Sequence, residues 1–296
     1  MTVRTLSDTA IVYDSTADLP AGPGAGRSAM VPLRVMFGTE TRLDHVDLDP
    51  PAFYRRLQSS AEPPTTSQPP PAAFAEAYRE LLRERDHIVS LHVSAKLSGT
   101  IESARIAAAE FDGRVTVIDT DSVSASLASA VLGVHALLEQ GTDDATIAAF
   151  VDRHRREARC FVALDTLTYL QRGGRIGRAQ ALAGQLLSVH PILEVTGGEV
   201  LPGTKVRGAG RVPGELVRCV SEVVGDRRDL RLIVVHADAP ERAEALAALL
   251  REALPGRPVD RILPLGPAVG THAGPGALGV GAAPFPAIVG ETRQDS

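Results

Sequence analysis

The sequence lacks the positive charge that a nucleic-acid-binding protein needs. Only two of its 31 basic residues are lysines, Lys96 and Lys205, and acidic residues outnumber basic ones to give a formal net charge of −5. The arginines are interspersed with aspartate and glutamate instead of forming a basic stripe. Because phosphate backbones are bound mainly through clustered cations, we expect no nucleic-acid partner.

Cysteines and long apolar runs are also scarce. Cys160 and Cys219 are the only cysteines; they cannot form a disulfide framework and lack the spacing of metal ligands, so we expect buried thiols and no metal. The N-terminal residues lack the apolar segment of a signal peptide, and no run of about 18 apolar residues could span a membrane. These absences predict a soluble cytoplasmic protein without a cofactor, with at most transient contact with a membrane surface.

The alternation of short β-rich runs with helical patterns predicts an α/β fold. Runs at 10–14, 87–93 and 114–119 are each followed by a segment able to form a helix, which indicates βαβ units and a largely parallel sheet. A chain of 296 residues exceeds the usual size of one core. The polar segment at 139–146 and a new strand from Cys160 divide it into an N-terminal domain, 1–158, and a C-terminal domain, 159–296.

The second half predicts a smaller α/β domain with a mixed sheet. Its pattern gives a strand at 191–195, a hairpin turn at Gly197–Gly198, helices at 212–224 and 240–253, and further strands at 231–237 and 259–266. The segment VGTHAGPGALGVG, residues 269–281, places His272 among glycines. Residues 274–279 fit the dinucleotide fingerprint G-x-G-x-x-G, but Pro284 and Pro286 follow at once and leave no room for the helix, strand and acidic residue that this site requires.

Two hydroxyl-rich segments could bind an anion. Thr65, Thr66 and Ser67 precede the prolines that open a helix at 71–83, so they could either cap that helix or hold an anion at its N-terminus. Ser98, Gly99 and Thr100 follow the strand that ends at Val93. This is the edge where a parallel sheet binds its ligands, although the same residues could simply cap the next helix.

Other segments leave catalytic alternatives open. Asp14 ends the first strand, but a haloacid-dehalogenase-like phosphatase has a second aspartate where this chain has Thr16, so turn formation by Asp14, Ser15 and Asp18 is the competing interpretation. Ser98 is not in a G-x-S-x-G elbow. A small-molecule hydrolase or phosphatase using Ser98 or Asp14 remains the alternative function.

An arginine-rich loop, QRGGRIGRA, has two interpretations. Arg172, Arg175 and Arg178 surround three glycines. The loop is either a solvated basic segment or a site for an anion or a partner protein.

Taken together, these segments resemble the DegV family over nearly the whole chain. The matching segments, in family order and spacing, are IVYDSTADLP, TSQPPPAAFAEAY, VSAKLSGTIESA, VIDTDSVS, LTYLQRGGRIGRA, LLSVHPIL, KVRG and GTHAGPGALGV. The resemblance implies a two-domain DegV-like fold that binds one long-chain fatty acid in a cleft between the domains. It also implies a carrier, not an enzyme by itself: the bacterial FakB members present the fatty acid to a separate kinase, which forms an acyl-phosphate for phospholipid synthesis.

The resemblance assigns roles to individual residues. Thr66, Ser98 and His272 match the groups that hydrogen-bond the fatty-acid carboxylate in the family. Arg175 and Arg207 match positions near the exposed head-group face and imply docking of the kinase. The loops supporting the site are those of Ser67, Gly99, Thr100, Gly274 and Gly276.

Elementary physical chemistry explains why glycines near His272 suit a buried carboxylate. A carboxylate keeps its charge in an apolar cleft only if donors replace water, and Gly274 and Gly276 let the backbone pass close to it with positive φ.

Two departures from the family pattern concern the tunnel. Pro70 replaces the last serine of T-S-Q-P-S. Residues 125–128 read Ala-Ser-Leu-Ala where the family is glycine-rich, so the tunnel wall and the preferred chain length are expected to differ.

Overall fold

The computed structural model describes residues 2–19, 23, 26–60, 62–182 and 189–287. The first three residues of the LLSVHPIL segment and residues 288–296 of the predicted C-terminal domain lie outside these ranges. The strands of the first half are β1 (Thr9–Asp14), β2 (Ser28–Val31), β3 (Arg34–Phe37), β4 (Glu40–Leu43), β5 (Thr65–Ser67), β6 (His87–His92) and β7 (Val115–Asp119).

Four of these strands form a parallel sheet and three form a small antiparallel one. The parallel sheet has the order β2-β1-β6-β7, and the antiparallel sheet has the order β4-β3-β5. The helices of this half are α1 (Pro50–Ser59), α2 (Pro71–Leu81), α3 (Thr100–Ala108), α4 (Ala125–Gln140) and α5 (Asp144–Glu157). Phe74, Tyr78 and Ala104 bury the apolar faces of α2 and α3 against the parallel sheet.

The second half forms a mixed sheet of six strands. They are β8 (Arg159–Ala163), β9 (Val189–Thr196), β10 (Glu199–Arg207), β11 (Leu230–His236), β12 (Val259–Pro264) and β13 (Leu278–Pro284), in the order β10-β9-β8-β13-β11-β12. Only the β11–β12 pair is parallel. The helices are α6 (Thr168–Arg172), α7 (Val212–Val224), α8 (Pro240–Ala253) and α9 (Pro267–Ala273). Leu216 and Leu246 pack α7 and α8 onto one face of this sheet.

Helix α4 lies between the two large sheets. It contacts β1 and β6 of the parallel sheet and β8, β11 and β13 of the mixed sheet, and most of its side chains are buried. Its sequence explains this position, because a helix that is apolar on every side is stable only when it is covered on every side. Gly281 allows the closest approach: a Cβ added there would lie 2.7 Å from the Cβ of Ala125. One apolar core therefore joins both halves of the chain.

The predicted fold class is confirmed, together with most of its elements. The α/β architecture has the expected parallel sheet and mixed sheet, and the Gly197–Gly198 turn has positive φ values of 54° and 76°, as a tight hairpin requires. The strands of the parallel and antiparallel sheets precede residue 158, and those of the mixed sheet follow it. Since α4 and α5 also pack on the mixed sheet, the division into domains 1–158 and 159–296 stays a prediction.

One local interpretation, helix capping by Thr65–Ser67, was wrong, and the rejection of a dinucleotide site at 274–279 agrees with the structure. Thr65–Ser67 form an edge strand, β5, and the residue that caps α2 is Pro70, without a side-chain hydrogen bond. The glycines at 279 and 281 belong to β13, a central strand. Position 279 requires glycine, because a side chain there would collide with Phe161 and Val235. The G-x-G-x-x-G pattern thus leads into a strand, which excludes the dinucleotide geometry.

Candidate functional site

A cavity of about 920 Å³, including the space at its mouth, lies between the carboxyl edge of the parallel sheet and the mixed sheet. The wall is mostly aliphatic, with side chains from β8, β9, β10 and β11 on one side; these are Cys160, Val162, Leu193, Val195, Val200 and Val235. Thr66, Ser98 and His272 line the same cavity, so the structure brings the three predicted carboxylate ligands together.

Thr66 and His272 are in direct contact. Thr66 Oγ1 lies 2.9 Å from His272 Nε2, although the two residues are 206 positions apart in the chain. Thr66 is held by the pairing of β5 with β3, opposite Val35, and His272 lies in the last turn of α9. The antiparallel sheet of the first half and a short helix of the second half therefore supply one polar pair.

Buried carboxylates of the first half hold the N-terminus of α9. Asp18 Oδ1 accepts the Gly266 N–H at 2.8 Å, and Asp44 Oδ1 accepts the Ala268 N–H at 3.2 Å. Both aspartates are fully buried, and burial raises the pKa of Asp44 to about 6. Acceptors at this end complement the helix dipole. The helix that carries His272 is thus positioned by residues far from it in sequence.

The imidazole of His272 is held neutral. Burial, helped by the nearby Arg175 cation, lowers its pKa from 6.5 to about 4. Its Nδ1 is buried without a hydrogen-bond partner among the described residues, and it packs against Gly173, where an added Cβ would overlap Nδ1. An unpaired buried N–H costs more than an unused lone pair in such a contact, so we assign the proton to Nε2.

Ser98 is held in the loop between β6 and α3. Its Oγ lies 2.9 Å from Thr100 Oγ1 and accepts the Thr100 N–H at 3.3 Å. Gln68 follows β5 and donates through its side chain to Ser103 Oγ of α3 at 3.0 Å. The same amide covers Gly99, where a side chain would overlap it. Gln68 therefore ties the Thr66 strand to the Ser98 loop.

Arg175 reaches the mouth, but Arg207 does not. Arg175 Nε donates to Leu97 O at 3.1 Å, and Arg175 Nη1 donates to Gly173 O at 2.7 Å. It lines the large cavity and also an outer space of about 560 Å³, which Thr66, His272 and Arg172 share. Arg207 is exposed at the end of β10 and is absent from the lining of both of these spaces.

The remaining predicted loop residues are near the site without facing it. Gly274 and Gly276 have φ values of 75° and 76°, and side chains there would overlap Tyr169 and Asp165. Ser67 is half-buried in β5 and lines neither space. These glycines allow α6 and the segment before it to pack against the chain that follows α9.

The two alternative nucleophiles are not arranged for catalysis. Asp14 is fully buried, where its oxygens accept the Thr16 N–H and hydroxyl at 3.1 and 2.6 Å and the Val93 N–H at 2.9 Å, with His92 Nδ1 at 3.1 Å. It caps the turn Ser15–Ala17. The hydroxyl of Ser98 bonds to Thr100 and has no base in contact among the described residues.

Comparison with known proteins identifies the family. The family described as uncharacterised protein, DegV family, matches residues 8–284. The chain belongs to the DegV family. A DegV domain-containing protein of Streptomyces coelicolor is 39% identical over 278 residues, 92% of this chain and 96% of that protein.

Solved DegV structures are similar over the whole fold. A fatty-acid-binding DegV family protein from Thermus thermophilus superposes with a TM-score of 0.86 at 36% identity, covering 94% of this chain and 100% of that one. DegV of Bacillus subtilis, described as a fatty acid binding protein, gives a TM-score of 0.83 at 30% identity, covering 94% and 99%.

Neither a membrane-spanning helix nor a cluster of metal ligands occurs in the described ranges. Within them, no helix is both long enough and apolar enough to cross a membrane. In the same ranges, no group of three or more histidine, cysteine, aspartate or glutamate side chains could hold a metal ion.

Sequence reasoning missed several residues that shape the site. Asp18 was considered only as a turn residue, and Asp44, Gln68 and Gly173 were not considered as site residues. Gly173 lies in the quoted arginine-rich loop and Gln68 in T-S-Q-P, so a signal was present for both. Asp44 lies in no quoted motif, and only the three-dimensional packing reveals its contact with α9.

Proposed function

We propose that this protein binds one long-chain fatty acid, with the acyl chain in the aliphatic cavity and the carboxylate at the Thr66–His272 pair. The observation that carries the proposal is a large apolar cavity with a hydroxyl–imidazole pair on its wall. The fatty-acid binding described for the DegV relatives from Thermus thermophilus and Bacillus subtilis supports it.

The head group is bound by neutral donors. With its proton on Nε2, His272 donates to Thr66 Oγ1, which leaves the Thr66 hydroxyl proton free for a carboxylate oxygen. Ser98 supplies a second hydroxyl from the opposite segment. Such donors replace the water that the carboxylate loses on entry. His272 therefore acts through Thr66 and orients its hydroxyl.

The acyl chain supplies most of the binding free energy. Burying about 15 methylenes at about 0.8 kcal/mol each gives roughly 12 kcal/mol, from which association and ordering subtract several. Hydrogen bonds to a charged group contribute about 1.5–3 kcal/mol each. The chain therefore decides whether the ligand stays bound, and the head group decides which end faces the mouth.

We propose further that the bound fatty acid is presented to a separate kinase that forms an acyl-phosphate for phospholipid synthesis. The position of Arg175 between the cavity and the outer space supports this, because a cation there can attract phosphate groups to the carboxylate end. Since this transfer consumes a nucleoside triphosphate, we place it in the cytoplasm. The protein itself then acts as a carrier.

The first test is whether the free acid is preferred over its ester. Organic extraction and mass spectrometry should recover a long-chain fatty acid from the purified protein. Wild-type protein should bind palmitic acid more tightly than methyl palmitate, because the ester carries no charge for the hydroxyls to stabilise. In Thr66→Val, Ser98→Ala and His272→Ala, affinity for the acid should fall by roughly ten- to a hundredfold and affinity for the ester should change little.

Two results would contradict the proposal. Equal binding of acid and ester by the wild type would remove the carboxylate site even if lipid is present. Turnover of acyl esters or phosphates that is lost in Ser98→Ala would favour the hydrolase instead.

A further inference from the structure

The cavity wall carries a second polar pair besides the head-group residues. Thr16 follows β1 and Ser124 precedes α4, and both line the large cavity. The Ser124 N–H donates to Thr16 O at 2.8 Å, so the two residues form one unit. Thr66 and His272 also line the outer space, whereas Thr16 and Ser124 do not. The second pair therefore belongs to the interior of the cavity.

The hydroxyl protons of this pair are already committed. Thr16 Oγ1 donates to Asp14 Oδ1 at 2.6 Å, and Ser124 Oγ donates to Asp18 Oδ2 at 2.5 Å. Both aspartates are fully buried. Because the aspartate oxygens are the acceptors in both bonds, each hydroxyl directs its proton away from the cavity. What remains for a ligand is the lone pairs of two oxygens.

The orientation of both hydroxyls is fixed by the buried aspartates that accept their hydrogen bonds. Asp14 is held by Val93 and His92, and Asp18 by the N–H of Gly266. Ser124 itself has φ 52° and ψ −126°, a conformation that is costly for any residue except glycine. The chain nevertheless places a hydroxyl there. These features together hold two hydrogen-bond acceptors at a set place on an otherwise aliphatic wall.

We infer that the cavity accommodates a fatty acid that carries a hydroxyl group on its acyl chain, which donates to Thr16 Oγ1 or Ser124 Oγ. This inference rests on the proposed function and names the class of fatty acid. A carboxylate cannot be the occupant of this spot, because it would place its lone pairs against two acceptors. An uncharged hydroxyl fits, because a buried donor is tolerated only where an acceptor meets it.

The test is a competition on delipidated protein between stearic acid and its 3-, 10- and 12-hydroxy derivatives, with bound lipids quantified by mass spectrometry. The regioisomers are needed because the hydroxyl must reach the pair along the chain. Wild-type protein should retain at least one hydroxystearic acid to about the same extent as it retains stearic acid. In Thr16→Val and in Ser124→Gly, the ratio of that hydroxy acid to stearic acid should fall about three- to tenfold. Thr16→Ser keeps the oxygen and should keep the ratio.

The ratio separates the inference from general damage to the fold, because both ligands are measured on the same protein sample. Ser124→Gly also suits the backbone conformation, so it removes the hydroxyl without adding strain. Exclusion of all three hydroxy acids by the wild type, or a ratio unchanged in both variants, would overturn the inference. Failure of the wild type to retain stearic acid as well would instead overturn the proposed function.

Discussion

A methyl group added at Gly173 tests the proposed head-group site, because Gly173 contacts the imidazole of His272. In Gly173→Ala the new Cβ would overlap His272 Nδ1, so the ring must shift away from Gly173 and leave its present position beside Thr66. We expect affinity for palmitic acid to fall by about tenfold, the equivalent of one lost hydrogen bond, with affinity for methyl palmitate nearly unchanged. Isothermal titration with both ligands measures this difference.

The matched control is Gly214→Ala in α7. Gly214 has ordinary backbone geometry, and an added Cβ meets no atom within 4 Å. It should bind both ligands as the wild type does. If Gly173→Ala retained the full preference for the acid, the proposed orientation of His272 would be wrong.

At the residue scale, sequence motifs predicted which side chains line one cavity, but not what holds them. Thr66, Ser98 and His272 lie in recognisable segments. The support of α9 by Asp18 and Asp44 could not be predicted, because it depends on contacts between residues more than two hundred positions apart. A single acidic residue in a loop carries no sign that it will be buried.

At the scale of elements, the segment after α6 carries two arginines that differ in their position relative to the cavity. Arg175 lines the mouth, and Arg178 in the same loop is exposed and lines neither space. Arg175→Ala and Arg207→Ala should retain palmitic acid but lose phosphorylation of it by a bacterial fatty acid kinase with ATP, because the partner or its phosphates lose a cation. Acyl-phosphate formation, measured with labelled ATP, checks this.

Arg178→Ala is the control and should support phosphorylation like the wild type. Loss of bound palmitic acid from both Arg175→Ala and Arg207→Ala would make these arginines structural. Loss of phosphorylation in Arg175→Ala alone would confine the partner contact to the mouth.

The longer helices of the second half were predicted closely, whereas the short elements and the glycine-rich central strand β13 were not. The α7 and α8 patterns have the bounds that the structure shows, because their apolar periodicity is long. Strand β5 has only three residues and α9 has seven, too few for a periodicity to emerge. Both of these short elements carry residues of the proposed head-group site, Thr66 and His272.

At the scale of the whole molecule, stability should fall on acidification. Burial lowers the pKa of His154 and of His272 from 6.5 to about 4, so between about pH 6.5 and 4 the unfolded chain binds more protons than the folded one. Each histidine then costs about 2 kcal/mol at pH 5 relative to pH 7. Asp44, with its pKa raised to about 6 by burial, opposes this, because its folded form takes up a proton earlier than its unfolded form.

His154→Leu isolates one of these contributions. Both ring nitrogens of His154 are buried without a hydrogen-bond partner in the described parts of the chain, so an apolar side chain of similar size suits the site. Thermal unfolding at pH 7 and pH 5 should show a smaller loss of Tm in the variant than in the wild type, by several degrees. An equal loss in both proteins would show that His154 is not the group that titrates.

The position of α4 between two sheets sets an order of assembly on the ribosome. Helix α4 is complete at Gln140, but β13, which packs against it, ends at Pro284. At ordinary translation rates this gap lasts roughly ten seconds or more, and during it the apolar face meant for the mixed sheet is incompletely covered. We expect the nascent chain to need a holding chaperone in that interval. His272 is synthesised just before β13, so the proposed head-group pair can bind a ligand only after the chain has been made as far as that strand.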